Sequence, residues 1–216
     1  MPEEHRELPL FPLNTVLFPH MNLPLRIFEP RYRQMLGYCL DHDKTFGIVL
    51  IKMGSEVGEP ATPYEIGTTA KIVSADNLED GTIGVITFGQ RRFHIDQLLT
   101  EQPYLMAQVT LPEEDVTPIS DDSFTELRTL AQACIQHLLA LNHQWTRDVG
   151  LPREQERFSY VLPTKLEQLD NRLKQVLLES PTLATRLGDE RTLVDEEEKR
   201  LRRLINEEAW LTPNLN

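Results

Sequence analysis

Glycine is distributed unevenly along this chain. Eight of its ten glycines precede Asp115, and only Gly150 and Gly188 follow. Glycine supplies the positive-φ turns that short-stranded sheets need. The first half therefore reads as a sheet with many turns, and the second as helices. At 216 residues and 40% apolar content, the chain can bury a sizeable core and is too hydrophobic to be disordered.

The strands come at short spacing. Leu8–Leu13 is an apolar run interrupted by Pro9 and Pro12, and so at most an edge strand. Val16–Phe18 and Leu23–Phe28 are further apolar stretches separated by Pro19 and Pro24. Thr45–Ile51 reads as a buried strand. Gly67–Ala75, Thr82–Phe88, Arg91–Ile95 and Tyr104–Leu111 follow, with turns expected at Asp80-Gly81 and Gly89-Gln90. Many short strands with regular turns argue for a closed or nearly closed barrel. One helix interrupts them. Pro30 suits a first helical position, and Tyr32, Met35, Leu36, Cys39 and Leu40 repeat as one buried face. Gly37 inside it suggests close approach to the barrel.

Pro112–Asp122 is acidic, contains two prolines and reads as a linker, with Ser120 among the residues able to cap the next helix. Leu127, Leu130, Ala131, Cys134, Leu138 and Leu141 form a helical stripe. A shorter helix is expected after Pro152 and ending near Pro163, and another through Leu166, Leu169, Leu173 and Leu177. A last one is expected from about Asp195, with Leu201, Leu204 and Ile205 inward and Glu196–Arg200 and Glu198–Arg202 paired on its outer face. The domains expected are thus a barrel over residues 1–115 and a helical bundle over 116–216.

The chemistry of a nucleotide or peptide hydrolase is missing. No Gly-Lys pair occurs, so there is no phosphate-cradling P-loop. Gly-x-Ser-x-Gly, His-Glu-x-x-His and Cys-x-x-Cys are absent, and none of the six serines sits in an activation motif. Asp41-His42-Asp43 is a dense cluster better read as a polar helix end than as a metal site, and His94 reads as a sheet-face residue. No catalytic residue, metal or cofactor is assigned. The net charge of −12 argues against nucleic acid. No apolar run is long enough to span a bilayer, and the first residues lack the pattern of a secretory signal. Two widely spaced cysteines in apolar stretches fit reduced core thiols, and a cytoplasmic location is expected.

Leu8–Arg33 reads LPLFPLNTVLFPHMNLPLRIFEPRYR. It resembles the opening of the Lon protease N-terminal, substrate-recognition domain, in particular stand-alone members carrying the Phe-Glu-Pro-Arg-Tyr run, here Phe28–Tyr32. Phe46-Gly47-Ile48-Val49, Gly67-Thr68-Thr69-Ala70-Lys71-Ile72, Gly89-Gln90-Arg91-Arg92-Phe93 and Pro103-Tyr104-Leu105 match in order, the third as a hairpin. Helical matches near Leu173–Glu179 and Arg186-Leu187 extend the resemblance over most of residues 8–188. It implies an α+β fold, a PUA-like β-barrel followed by a C-terminal α-helical bundle. It also implies recognition of unfolded or damaged polypeptides. Neither the ATPase nor the peptidase of Lon has a counterpart in these residues, so a non-enzymatic adaptor or holdase is expected, with a separate AAA+ protease or chaperone as partner. The residues expected to contact polypeptide are Phe18, Met21, Leu23, Phe28, Glu29, Arg31 and Tyr32. The alternative, an RNA-binding PUA-like protein, would use a basic patch at Arg91 and Arg92.

Overall fold

The computed structural model describes residues 4–56, 61–99 and 101–211. In chain order these form β1 (Glu4–Leu13), β2 (Asn22–Ile27), α1 (Pro30–Asp41), β3 (Thr45–Met53), β4 (Thr62–Pro63), β5 (Ile66–Asn77), β6 (Ile83–Leu99) and β7 (Leu105–Leu111), then α2 (Asp121–Leu141), α3 (Gln155–Lys165), α4 (Asn171–Glu179) and α5 (Leu183–Leu211). The fold is α+β, in two compact units. One is Met1–Glu114 with Leu169–Glu179; the other is Asp115–Gln168 with the chain from Ser180 onward. The return of α4 to the sheet unit is not visible in the sequence. No helix among the described residues is long and apolar enough to cross a membrane.

In the first unit β1 pairs antiparallel with β7 over Glu4–Leu10 and parallel with β3 over Leu10–Leu13. This closes a ring in the order β1–β7–β6–β5–β3. The run expected to be an edge strand is thus the strand that completes the barrel. Its prolines are tolerated because β1 has one neighbour at each of them, β7 beside Pro9 and β3 beside Pro12. Three positions apart, the two missing N–H groups fall on opposite edges. β2 pairs with the first half of β6.

No turn forms at Gly89-Gln90: β6 runs unbroken through it, with an irregular register against β5. Gly89 answers a different need. A Cβ there would lie 2.3 Å from the carbonyl oxygen of Phe18, so only glycine lets the chain before β2 approach β6. The Asp80-Gly81 turn does form, with Gly81 at φ 77° and Leu78 N–H donating to the Thr82 carbonyl at 2.8 Å.

α1 starts on Pro30 as expected and buries Tyr32, Met35, Leu36 and Cys39. These join Phe11, Leu17, Ile27, Phe46, Ile48 and Val85 in the larger core of the unit. Leu40 lies outside that face at 38% exposure, and a Cβ on Gly37 would meet nothing within 4 Å. The expected close approach at Gly37 is therefore not there. A second core gathers Leu8, Leu10, Val49, Phe93, Ile95 and Val109.

α4 is tied to the sheet by side chains. Gln175 Nε2 donates to the Ile66 carbonyl at 2.9 Å. Arg92 Nη1 donates to the Leu178 carbonyl at 2.6 Å, satisfying an acceptor at the helix end that has no partner within the helix.

In the second unit α2 and α3 pack on α5. Ser120 caps α2 as expected, its hydroxyl accepting from Ser123 N–H at 3.3 Å. The rings of Phe124 and Phe158 meet edge to face at 5.1 Å. α5 begins at Leu183, well before the expected Asp195, and includes Gly188. Of its expected pairs, Glu198–Arg202 forms, but Arg200 takes Glu197 instead of Glu196. Glu198 is 4% exposed, so this stretch is not simply a solvated face. Leu201 is buried, whereas Leu204 is 37% exposed.

Candidate functional site

The Phe-Glu-Pro-Arg-Tyr run joins β2 to α1 in the first unit, and the side chains expected to bind polypeptide divide there by burial. Phe18 is 1% exposed and Tyr32 5%; both are core, which removes Phe18 from any accessible surface in this conformation. Met21 and Leu23 are half-buried and pack against the larger core. Phe28 stands out at 53% exposure.

Glu29 and Arg31 form an ion pair at 3.0 Å, both side chains less than one-fifth exposed. The same Arg31 nitrogen, Nη2, also donates to the Glu56 carbonyl at 3.3 Å. The guanidinium lies 4.6 Å from the centre of the Tyr32 ring, which packs at 4.3 Å on Phe11. Burial pushes the Tyr32 hydroxyl above its ordinary pKa, opposed in part by Arg31. Arg31 Nε is buried and has no hydrogen-bond partner among the described residues.

Two depressions adjoin this polar group. One, about 210 Å³, lies between Phe11 and Leu13 of β1 and Pro24 and Leu25 of β2, with Phe28 and Glu29 at its margin. The other, about 150 Å³, is walled by Pro12, Arg31, Tyr32, Leu99, Tyr104 and Leu105. Leu99, Tyr104 and Leu105 are not among the residues expected at this surface. No local spacing links them to Tyr32. They come together because β1 pairs with β7 and closes the ring.

The arginines offered for RNA do not make a patch. Arg91 pairs with Glu4 at 2.9 Å. Arg92 is 6% exposed, and its Nη2 lies 2.7 Å from Glu114, so it does not join Arg91 at the surface. Arg33 donates to the carbonyls of Phe28 and Gly81. Asp41-His42-Asp43 is likewise engaged locally. His42 stacks on Tyr38 at 4.1 Å, and Asp43 pairs with Arg6 at 3.1 Å. No group of three or more His, Cys, Asp or Glu among the described residues is placed to hold a metal ion. Cys39 and Cys134 are buried and free, and burial pushes each thiol up to about 12, far from the thiolate a nucleophile requires.

A barrel closed by its first strand, with a helix from a later segment docked on it, defines a fold that solved structures share. Residues 7–196 match the family model of the ATP-dependent protease La (LON) substrate-binding domain. The chain belongs to this family. It resembles the crystal structure of a Lon N-terminal domain protein from Xanthomonas campestris, with a TM-score of 0.62 and 25% identity over 85% of this chain and 95% of that one. The N-terminal domain of Lon protease from the Mycobacterium avium complex has the same fold, with a TM-score of 0.60 at 16% identity, covering 90% of this chain and 98% of that one. Among full-length relatives, Lon protease of Flavobacterium johnsoniae is 31% identical over 123 residues, 56% of this chain and 15% of that protease. Lon protease of Rhizobium meliloti is 27% identical over 193 residues, 85% of this chain and 23% of that protease. The chain thus spans less than a quarter of the length of either, and the family model it matches is the substrate-binding domain rather than the ATPase or peptidase.

Proposed function

We propose that this chain is a polypeptide-recognition module that binds unfolded or damaged proteins and acts without chemistry of its own. Its role is that of an adaptor or holdase in protein quality control, passing clients to a separate AAA+ protease or chaperone. The observation that carries this reading is the exposed Phe28 at the margin of the depression between β1 and β2, on the run most similar to the Lon substrate-binding domain. Half-buried Met21, just before β2, and Leu23 and Leu25 within it lead up to Phe28. Apolar surface next to concave sites is where extended chains dock.

The test is capture of a permanently unfolded protein, reduced and carboxymethylated α-lactalbumin, in solution. Phe28→Ser weakens capture while the melting temperature stays near that of the parent, because Phe28 is mostly in water already. Capture unchanged by Phe28→Ser moves the binding surface elsewhere; no capture by the parent chain removes the reading.

A further inference from the structure

The helical unit holds a cavity of about 260 Å³, walled by one face of α2 and by Arg153, which precedes α3. Asp121, Thr125, Arg128 and Gln132 follow one another on α2 at intervals of four, three and four, and so form one stripe. Phe124, 8% exposed, adds an apolar wall. Two guanidinium groups thus reach this space from different elements. Arg128 is held in place, its Nε donating to the Pro152 carbonyl at 3.3 Å and its Nη2 to the Leu151 carbonyl at 3.2 Å. Its Nη1 has no acceptor among the described residues and is not sealed from water. Arg153 is exposed and makes no hydrogen bond or ion pair among the described residues. Like charges on one cavity repel, and an anion between them removes that cost.

The backbone adds to this field. Gln155 clasps Ile119, its Oε1 accepting from the N–H and its Nε2 donating to the carbonyl, both at 2.9 Å. The clasp sets the first turn of α3 beside the start of α2, so the positive ends of two helix dipoles lie together. Of the acidic side chains at these two starts, Asp122, Glu154 and Glu156 lie off the cavity wall and Asp121 lies on it. Neutral donors are present too. Thr129 Oγ1 is engaged with the Thr125 carbonyl at 2.8 Å, whereas the Thr125 hydroxyl and the Gln132 amide have no partner among the described residues. Two cations, a hydroxyl and an amide suit a compact oxyanion with three acceptor oxygens and a charge near −2. A phosphate monoester has both at neutral pH, and a carboxylate has neither. The volume lies below the roughly 300–1,000 Å³ of drug-sized pockets, which points to a small ester.

We propose that this cavity binds a phosphate monoester, with Arg128 Nη1 and Arg153 on the phosphoryl oxygens and the Thr125 hydroxyl and Gln132 amide completing the shell. The inference stands on the second unit alone and does not depend on the polypeptide-binding reading. The phosphate can belong to a small phosphorylated metabolite or to a phosphorylated side chain; the chemistry at the cavity is the same.

The probes are methyl phosphate, methyl sulfate and acetate, titrated at low salt and about pH 7.5 into the isotope-labelled full chain and followed by amide NMR. Methyl phosphate is expected to shift the resonances of Thr125, Arg128, Gln132 and Arg153. Methyl sulfate has the same shape but a single charge, and is expected to bind about tenfold more weakly, as is acetate. Affinity for methyl phosphate is expected to fall below about pH 6, where the ester takes up its second proton. Arg153→Gln is expected to lose about tenfold in affinity with the melting temperature retained, because Arg153 holds nothing else in the described residues. Asp121→Asn is expected to bind more tightly, since one repulsion is removed. Equal binding of methyl sulfate, shifts confined to other residues, or unchanged affinity in Arg153→Gln overturns the proposal. Two further probes distinguish the sources, and either result supports the site. Tighter binding of acetyl-alanyl-phosphoseryl-alanine amide than of methyl phosphate assigns it to a phosphorylated side chain; tighter binding of glycerol phosphate assigns it to a metabolite.

Discussion

Arg92 grips Glu114 with two parallel N–H···O bonds from Nε and Nη2, the Nη2 bond 2.7 Å long, while Nη1 holds the Leu178 carbonyl. A residue in the middle of β6 thus joins the end of the barrel segment to the end of α4, all within one unit. The pair is largely removed from water, with the arginine side chain 7% exposed. Arg92→Ala should therefore cost about 3 kcal/mol, because it strands a carboxylate and a helix-end carbonyl. Arg92→Lys should recover only part of this, since an ammonium cannot fork. Urea unfolding measures both; a loss under about 1 kcal/mol for alanine would place the pair among weak surface contacts.

His20 is held at φ 65°, a region that costs a non-glycine residue about 1 kcal/mol. Its ring edge contact with Phe88, at 6.4 Å, returns part of that. His20→Gly is expected to raise the melting temperature by about 2 °C. A fall in the melting temperature would mean that the imidazole contacts outweigh the backbone strain.

One substitution should have opposite signs at two glycines. Gly89→Ala drives a Cβ into the Phe18 backbone oxygen and is expected to destabilise by about 2–3 kcal/mol. Gly37→Ala sits on an exposed helical turn with open space and is expected to stabilise by about 0.5–1 kcal/mol. Parallel denaturant curves decide, and the same sign at both positions would contradict the chain path before β2.

Glu190 is fully buried one turn beyond Arg186, and neither of its carboxylate oxygens has a hydrogen-bond partner among the described residues. Burial holds its carboxyl well above the ordinary range; Arg186 opposes this and Asp189 adds to it. The folded chain then keeps a proton that the unfolded chain releases. The stability from this site is full below the ordinary carboxylate pKa of about 4.3 and declines as pH rises from there to the folded value. Glu190→Gln removes that decline. The variant should be the more stable at pH 8, with the difference vanishing near pH 4. A difference that is constant across this range would show that the carboxyl is ionised when folded.

The parts of the fold readable from sequence are those set by near neighbours. The α1 face apart from Leu40, the Ser120 cap and the Asp80-Gly81 turn depend on residues a few positions apart, and all three form. The misreadings share a different cause. Glycine commonly serves turns, yet the reason for Gly89 lies in a carbonyl 71 positions earlier. Nothing near Arg92 in sequence announces Glu114 or Leu178, so it reads there as surface charge. The same holds for the cavity. Arg31 and Tyr32 lie in a recognisable run, but Leu99, Tyr104 and Leu105 reach them only through strand pairing.

The closing of the ring by β1 sets an order of assembly during synthesis. Glu4 pairs with Leu111, so the first strand made must wait for the last strand of the barrel before its outer ladder can form. α4, whose Gln175 and Leu178 complete the bonding of Ile66 and Arg92, arrives later still. A chain interrupted at residue 115, where the composition changes, would expose the β5 and β6 groups that α4 covers. Until Glu179 has been made, the nascent barrel lacks the partners that α4 gives to the Ile66 carbonyl and to Arg92, and the surface under α4 stays exposed.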